Sequence, residues 1–272
     1  MKKLPMIGLA TLVLGLSLAF YAFFIEPKRL TIHQYNVGTA DDRQSVITLL
    51  QISDIHLKKN YSTDQLNRIV AAANAQKPDI IVFTGDLFDN YANYGPVEET
   101  TKLLAELNAP LGKFAIWGNH DYGGGAAAVY PSIWHNSGFQ LMENDGLTLR
   151  TENDQVIYLA GIDDSLFGTP SLEDALLNRS DGDYTILLTH EPDVADRALG
   201  RDVSLILSGH SHGGQVNIPF VPVTNVLAEK YISGFYTLSE ETSLYVNTGL
   251  GTTLLPVRFR VPPEIAVFTL YF

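Results

Sequence analysis

Residues 46–56 read Val-Ile-Thr-Leu-Leu-Gln-Ile-Ser-Asp-Ile-His. Five of the first eight are large and apolar and none is charged, which predicts a short strand buried on both faces. The run ends in Asp54 and His56, two metal-ligating residue types, just where strand gives way to loop. The arrangement recurs down the chain. Residues 79–84 lead into Gly85-Asp86, residues 114–117 into Gly118-Asn119-His120-Asp121, residues 184–189 into His190, and residues 203–208 into Gly209-His210-Ser211-His212. In α/β folds, ligands gather beyond the carboxyl ends of strands, where loops converge from a rigid sheet. Of seven histidines, five (His56, His120, His190, His210, His212) lie at these ends; only His33 and His135 do not, and these read as structural or exposed.

Between the strands the period changes to that of a helix. Leu66, Ile69, Val70 and Ala73 follow Ser62-x-x-Gln65, which has the form of a capping box. Residues 96–107 predict a helix opened by proline and acidic in its first turn, and residues 126–137 a shorter one. The second half is richer in strand: 148–150, 156–161, 184–189, 203–208, 215–218, 243–246 and 265–270, with short helices over 172–177 and 194–199. Residues 30–37 also lean toward strand. No repeat or low-complexity segment divides the chain after residue 29. We read a membrane anchor over 1–29 and one α/β domain over 30–272, with layered sheets and helices outside.

Composition narrows the chemistry. The 272 residues include no cysteine, which excludes a disulfide framework, a thiolate metal site and a thiol nucleophile. A net charge of −12 argues against tracking a nucleic-acid backbone. Carboxylate, imidazole and amide ligands suit Mn²⁺, Zn²⁺ or Fe.

Each fragment alone is weak, since Asp-x-His and Gly-Asp are common in turns. Their order is specific. Asp-x-His, Gly-Asp-x-x-Asp, Gly-Asn-His-Asp, His and Gly-His-x-His resemble the five motifs of the calcineurin-like metallophosphoesterases, over residues 54–212. Gly213-Gly214-Gln215 and the closing Val-Pro-Pro-Glu-Ile (261–265) are similar to the bacterial membrane-associated branch. That branch holds small phosphodiesterases and a UDP-2,3-diacylglucosamine pyrophosphatase. The resemblance implies an α-β-β-α sandwich and a two-metal phosphoesterase working by attack of a metal-bridged hydroxide. Asp54, His56 and His212 would hold one divalent ion, Asn119, His190 and His210 the other, and Asp86 would bridge them. His120 would stabilise or protonate the leaving oxygen, oriented by Asp89; a simple turn or cap role for Asp89 stays open. Asp121 would either support the ligands or be structural.

One departure bears on substrate. Several phosphomonoesterase branches carry arginine after Gly-Asp-x-x-Asp, and here that position is Asn90. This favours a diester or a pyrophosphate over a terminal phosphate. Phosphomonoester, cell-wall and nucleotide substrates remain alternatives. So do a non-catalytic scaffold of the same fold and a metallohydrolase acting on amides. Arg258 and Arg260 are candidates to supply the missing positive charge, against a surface role for each.

Residues 6–25 are twenty uncharged, mostly apolar residues, long enough to span about 30 Å of hydrocarbon. Lys2 and Lys3 precede them; Phe20, Tyr21, Phe23 and Phe24 close them; Lys28 and Arg29 follow. An uncleaved, single-pass anchor in the inner (cytoplasmic) membrane is the preferred reading, with the body on the outer side. A signal peptide cleaved near Ser17-Leu18-Ala19 is the rival. The apolar loop 219–223 either packs internally or forms a lip against acyl chains.

Overall fold

The computed structural model describes residues 3–38, 46–59, 61–151, 154–221 and 225–271. Helix α1 (Lys3–Phe20) runs through a π-helical turn (Tyr21–Ile25) and a 3-10 turn (Glu26–Lys28) into β1 (Thr31–Val37). There follow β2 (Val46–Ile52), α2 (Thr63–Asn74), β3 (Ile80–Phe83), α3 (Val97–Ala105), β4 (Gly112–Ala115), α4 (Asn119–Gly123), α5 (Tyr130–Asn136) and β5 (Gln140–Leu141). The second half holds β6 (Asp145–Arg150), β7 (Val156–Gly161), α6 (Leu172–Ala175), β8 (Tyr184–Leu188), β9 (Leu205–Ser208), β10 (Gly234–Thr237), β11 (Ser243–Val246) and β12 (Glu264–Tyr271).

The strands form two six-stranded sheets, ordered β1-β12-β2-β3-β4-β5 and β10-β11-β9-β8-β7-β6. The doubly apolar strands are explained by what covers each face. From β2, Ile47 and Leu49 point between the sheets, packing with Ile80 and Val82 against Leu159, Ile186 and Leu207 of the second sheet. Leu50 and Ile52 point the other way, onto Leu66, Ile69 and Val70 of α2 and Trp134 of α5. Each such side chain contributes about 1.5–3 kcal/mol of burial. On the far side, Tyr158, Leu187 and Ile206 meet Ala175 of α6 and Val194 and Ala195 of a 3-10 turn (Pro192–Ala198). The result is the α-β-β-α sandwich.

β2, β3 and β4 are mutually parallel, as are β7, β8, β9 and β11, so several carboxyl ends converge on one edge of the sandwich. Gln51 ties the sheets together beneath that edge. Its Nε2 donates to Thr84 Oγ1 and to the Ser208 carbonyl, both at 2.9 Å.

Some local expectations are corrected. Residues 215–218 make one isolated bridge, Val216 to Phe259, rather than a strand, because Gly213, Gly214 and Gln215 all have positive φ. Of the helix expected over 194–199, residues 194–198 lie within the 3-10 turn opened by Pro192, and Leu199 is already extended. The helix expected over 126–137 starts at Tyr130. Ser62 caps α2 through the Asp64 N–H, one position earlier than a capping box uses.

Among the described residues, one helix is long and apolar enough to cross a membrane, spanning Ile7–Lys28 with a mean hydropathy of 2.1. Its distal end is docked on the α/β body. Ala22 and Glu26 are buried; the Ala22 carbonyl accepts the Arg258 N–H at 3.0 Å, and Glu26 Oε1 accepts the Val261 N–H at 2.7 Å.

Candidate metal centre

The backbone is bent hard where the strands end. Asp54, His56, Asp86, His210 and His212 all have φ between 50° and 67°. Left-handed backbone is disfavoured for residues carrying a Cβ and concentrates at functional sites. Gly85 and Gly118 allow the loops to close together: a Cβ on Gly85 would collide with His190 Nδ1, and one on Gly118 with Asp86 Oδ1.

These turns aim acceptors at two adjacent points. At the first, His56 Nε2 and His212 Nε2 face each other at 2.8 Å, and Asp54 Oδ1 lies 3.7 and 3.5 Å from them. At the second, Asn119 Oδ1 lies 3.2 Å from His190 Nε2 and 3.1 Å from His210 Nδ1. Asp86 Oδ2 stands between, 3.4 Å from His56 Nε2 and 3.3 Å from His190 Nε2. All seven predicted ligand residues therefore come together, on the ends of β2, β3, β8 and β9 and at the start of α4.

Two tautomers are set by carbonyl partners, which can only accept. His190 Nδ1 donates to the Thr84 carbonyl at 2.7 Å, so a neutral ring points its Nε2 lone pair inward. His210 Nε2 donates to the Val226 carbonyl at 2.8 Å, leaving the Nδ1 lone pair toward Asn119. Lone pairs thus converge where only a cation or a proton resolves the repulsion. This donor set, with carboxylates Asp54 and Asp86 fully enclosed, fits a pair of divalent ions.

Protonation follows the same logic. Burial lowers His56, but hydrogen bonds with Asp54 and Asp89 and the Asp86 charge outweigh it and push the imidazole up to about 9. Burial drives its partner His212 well down, so the facing nitrogens share one proton. Burial alone would raise Asp54, yet the surrounding imidazoles hold it at about 2. Asp86 is likewise held well below the usual carboxylate range, burial being overcome by His190 and His56. Burial also lowers His190, but the Asp86 charge and hydrogen bond outweigh it and push that imidazole well above its ordinary value, so at neutral pH a bound cation must displace protons from both rings. Metal affinity is expected to rise with pH through about 9, with protons released on binding. Calorimetry of metal addition at pH 7.5 in buffers of different ionisation enthalpy measures that release; an observed heat independent of buffer would contradict it.

His120 borders the cluster, its ring edge-on to His56 at 4.9 Å. Its Nδ1 donates to the Asp89 main-chain carbonyl at 3.2 Å, and the Asp89 carboxylate is 3.7 Å away. That carboxylate also faces His56 Nδ1 at 3.5 Å and Lys58 Nζ at 3.6 Å. Asp121 accepts the N–H groups of Asp86 (2.9 Å), Phe88 (3.1 Å) and Gly118 (3.1 Å), so it staples two ligand loops together. Buried Trp117 stacks on Tyr122 at 4.4 Å. His33 bonds Tyr35 within β1, and His135 is exposed on α5.

A cavity of 370 Å³ opens over the cluster, lined by Asp86, Asn119, His120, His210 and His212 and by Leu166, Asn225, Val226 and Thr253. Neither arginine enters it. Arg260 is exposed. Arg258, for which a surface role or a grip on phosphate was expected, is fully buried and donates to the carbonyls of Thr248, Gly249, Gly251 and Val261. Lys58 and the Val226 carbonyl were missed. Lys58 had a signal, lying two residues beyond His56; Val226 had none.

The profile of the family described as Calcineurin-like phosphoesterase matches residues 47–214. The chain belongs to this family and is a metal-dependent hydrolase of phosphoric esters. It is 40% identical over 254 residues to the metallophosphoesterase YkuE of Bacillus subtilis (strain 168), covering 92% of this chain and 88% of that one. It is 31% identical to the "Transmembrane protein with metallophosphoesterase domain" of Danio rerio, over 88% of this chain and 56% of that protein. It is 29% identical to the UDP-2,3-diacylglucosamine pyrophosphatase LpxG of Chlamydia muridarum (strain MoPn / Nigg), over 81% of this chain and 82% of that one.

Proposed function

We propose that this protein is a membrane-anchored, dinuclear phosphoesterase that cleaves a phosphodiester or pyrophosphate bond in a lipid-linked substrate. UDP-2,3-diacylglucosamine, named in the LpxG relative, is one molecule of that class. The observation that carries the reading is Asp86 Oδ2, lying within 3.4 Å of His56 Nε2 and 3.3 Å of His190 Nε2 between two nests of lone pairs. Asp54, His56 and His212 would hold one ion, Asn119, His190 and His210 the second, with Asp86 shared between them. Manganese or zinc, with iron as a further choice, suits these ligands. Bound there, the ions would supply Lewis acidity that acidifies a water and offsets charge on the phosphoryl oxygens.

The residues do the rest. His120 stands beside the cluster with its Nδ1 tied to the Asp89 carbonyl; as the imidazolium, protonated on both nitrogens, it would offer the Nε2 proton to the departing oxygen. Asp89 steadies His120 and the outer face of His56. Among the described residues lining the cavity there is no lysine or arginine, which favours a diester or pyrophosphate over a terminal dianionic phosphate. The complete ligand set argues against a scaffold role. Phe220 at 105% relative exposure, and exposed Ile218 and Val221, favour a lip at the membrane over internal packing; Pro222 and Val223 lie outside the described residues.

The purified full chain loaded with Mn²⁺ is expected to hydrolyse a bis-aryl phosphodiester and a UDP-lipid, with about two metal equivalents per chain. Failure on both substrates with metal bound would refute the reading. Protease accessibility on intact membranes tests the proposed placement of the body on the outer side of the inner membrane.

A further inference from the structure

A second, larger cavity lies beside the metal centre. It measures 730 Å³ and runs from Phe23 and Lys28, at the end of the candidate membrane-spanning helix, to Lys58 and Asp89. Leu254 and Pro256 form its other wall. The two cavities are neighbours through two elements. The segment 251–254 gives Gly251, Thr252 and Leu254 to this groove and Thr253 to the metal cavity. Asp89 lines the groove while its carbonyl holds His120, which lines the metal cavity.

We infer that this groove binds a single alkyl or acyl chain of a membrane lipid whose phosphate sits at the metal centre, and that this lipid half is the leaving group. The inference rests on the functional reading above and adds where the lipid lies. Three observations support it. The groove begins at the aromatic end of the apolar helix, so a chain in the outer part of a bilayer reaches it without crossing water. Much of its wall is apolar, from Phe23, Pro27, Leu250, Leu254 and Pro256; Leu254 is 96% exposed, an arrangement that water disfavours and a hydrocarbon chain would cover. The lining also carries Lys28, Lys58 and Lys59 against the single carboxylate of Asp89, with Lys28 at the helix end and Lys58 on the metal-centre side. Lys58 is held in place by Asp89 and by the Thr252 carbonyl. An amphiphile with an anionic head matches that mixture of apolar wall and lysine. Because His120 stands between the two cavities, a group leaving toward His120 departs on the groove side.

Alkyl phosphates test this. They are to be added to the metal-loaded full chain in maltoside micelles, with inhibition of bis-aryl phosphodiester hydrolysis as the readout. Dodecyl phosphate is expected to inhibit about a hundredfold more tightly than methyl phosphate, as several buried methylenes imply. Micelle partitioning also rewards long chains, so the decisive comparison is Leu254→Asp. That exposed position tolerates polarity without threatening the fold. The variant is expected to lose at least tenfold of the chain-length gain, and Leu254→Met to keep it. A gain that falls by less than tenfold in Leu254→Asp overturns the groove. If no phosphodiester is hydrolysed, the functional reading fails. The groove is then read from thermal unfolding: dodecyl but not methyl phosphate should raise the wild-type Tm, and an equal rise in Leu254→Asp overturns it.

Discussion

Replacing His120 with alanine is expected to lower kcat by about 10²–10⁴-fold while both metal equivalents stay bound. The two halves of that result come from different contacts. The His120 ring stands at the edge of the cluster and is anchored outward, by Nδ1 to the Asp89 carbonyl, so its loss leaves the seven proposed ligands in place. What disappears is a proton donor for the departing oxygen. The defect should therefore depend on the leaving group: small with a nitrophenolate, which needs little protonation, and large with an alkoxide. Measuring kcat across a series of aryl esters gives that slope. Full activity in the variant would remove His120 from the chemistry, and loss of metal would show that it is structural. Asp89→Asn should cost less than His120→Ala, because the main-chain carbonyl that holds the ring survives.

Replacing Arg258 with leucine is expected to destabilise the fold by about 3–5 kcal/mol. The guanidinium is fully buried, and its Nη2 approaches three acceptors, the carbonyls of Thr248 (2.9 Å), Gly249 (3.0 Å) and Gly251 (2.6 Å), and lies 3.4 Å from His212 Nδ1. Nε adds a second bond to Gly251 and Nη1 one to Val261, each at 3.0 Å. Burial draws the group down to about 10, so it stays charged at neutral pH among Asp54, Glu264 and Glu26. Leucine fills much of the volume but leaves the buried carbonyls without donors. Lysine would keep the charge without the planar fork that reaches them all. Thermal unfolding of the full chain measures the loss, expected to be about 10 °C; a shift below 2 °C would show that water replaces the arginine without cost. Metal affinity should also fall, since the same side chain braces the turn that carries His212.

The gathering of the seven candidate ligands was legible because their residue types are scarce and their placement is local. Five of seven histidines sit where an apolar run stops, and Asp54 and Asp86 sit at the same kind of boundary. The sheets were legible because strands buried on both faces leave unbroken apolar runs. What escaped depends on contacts between distant parts of the chain. Arg258 follows an exposed apolar loop, and nothing near it announces that Thr248, Gly249 and Gly251 will fold around its head. Gln215 sits in a run that reads as strand, but its side chain bonds Thr253 and Leu255 and its backbone turns with positive φ. Gly234–Thr237, exposed at alternate positions on an edge, carries too little apolar signal to stand out. The left-handed backbone at His210 and His212 has no sequence signature at all, since neither residue is a glycine.

The docked end of α1 has a mechanical consequence. A catalytic body on a loose tether sweeps a hemisphere and can meet soluble molecules from any direction. Here Ala22 and Glu26 are fastened to the loop that carries Arg258, so the joint behaves as a bracket rather than a swivel. If the apolar helix spans a bilayer as proposed, the reactive mouth would be held at one height and one tilt. The search for substrate would then become planar, set by lateral diffusion in that sheet of lipid. Turnover would scale with molecules per unit area of that membrane, and neighbouring vesicles would lie out of reach.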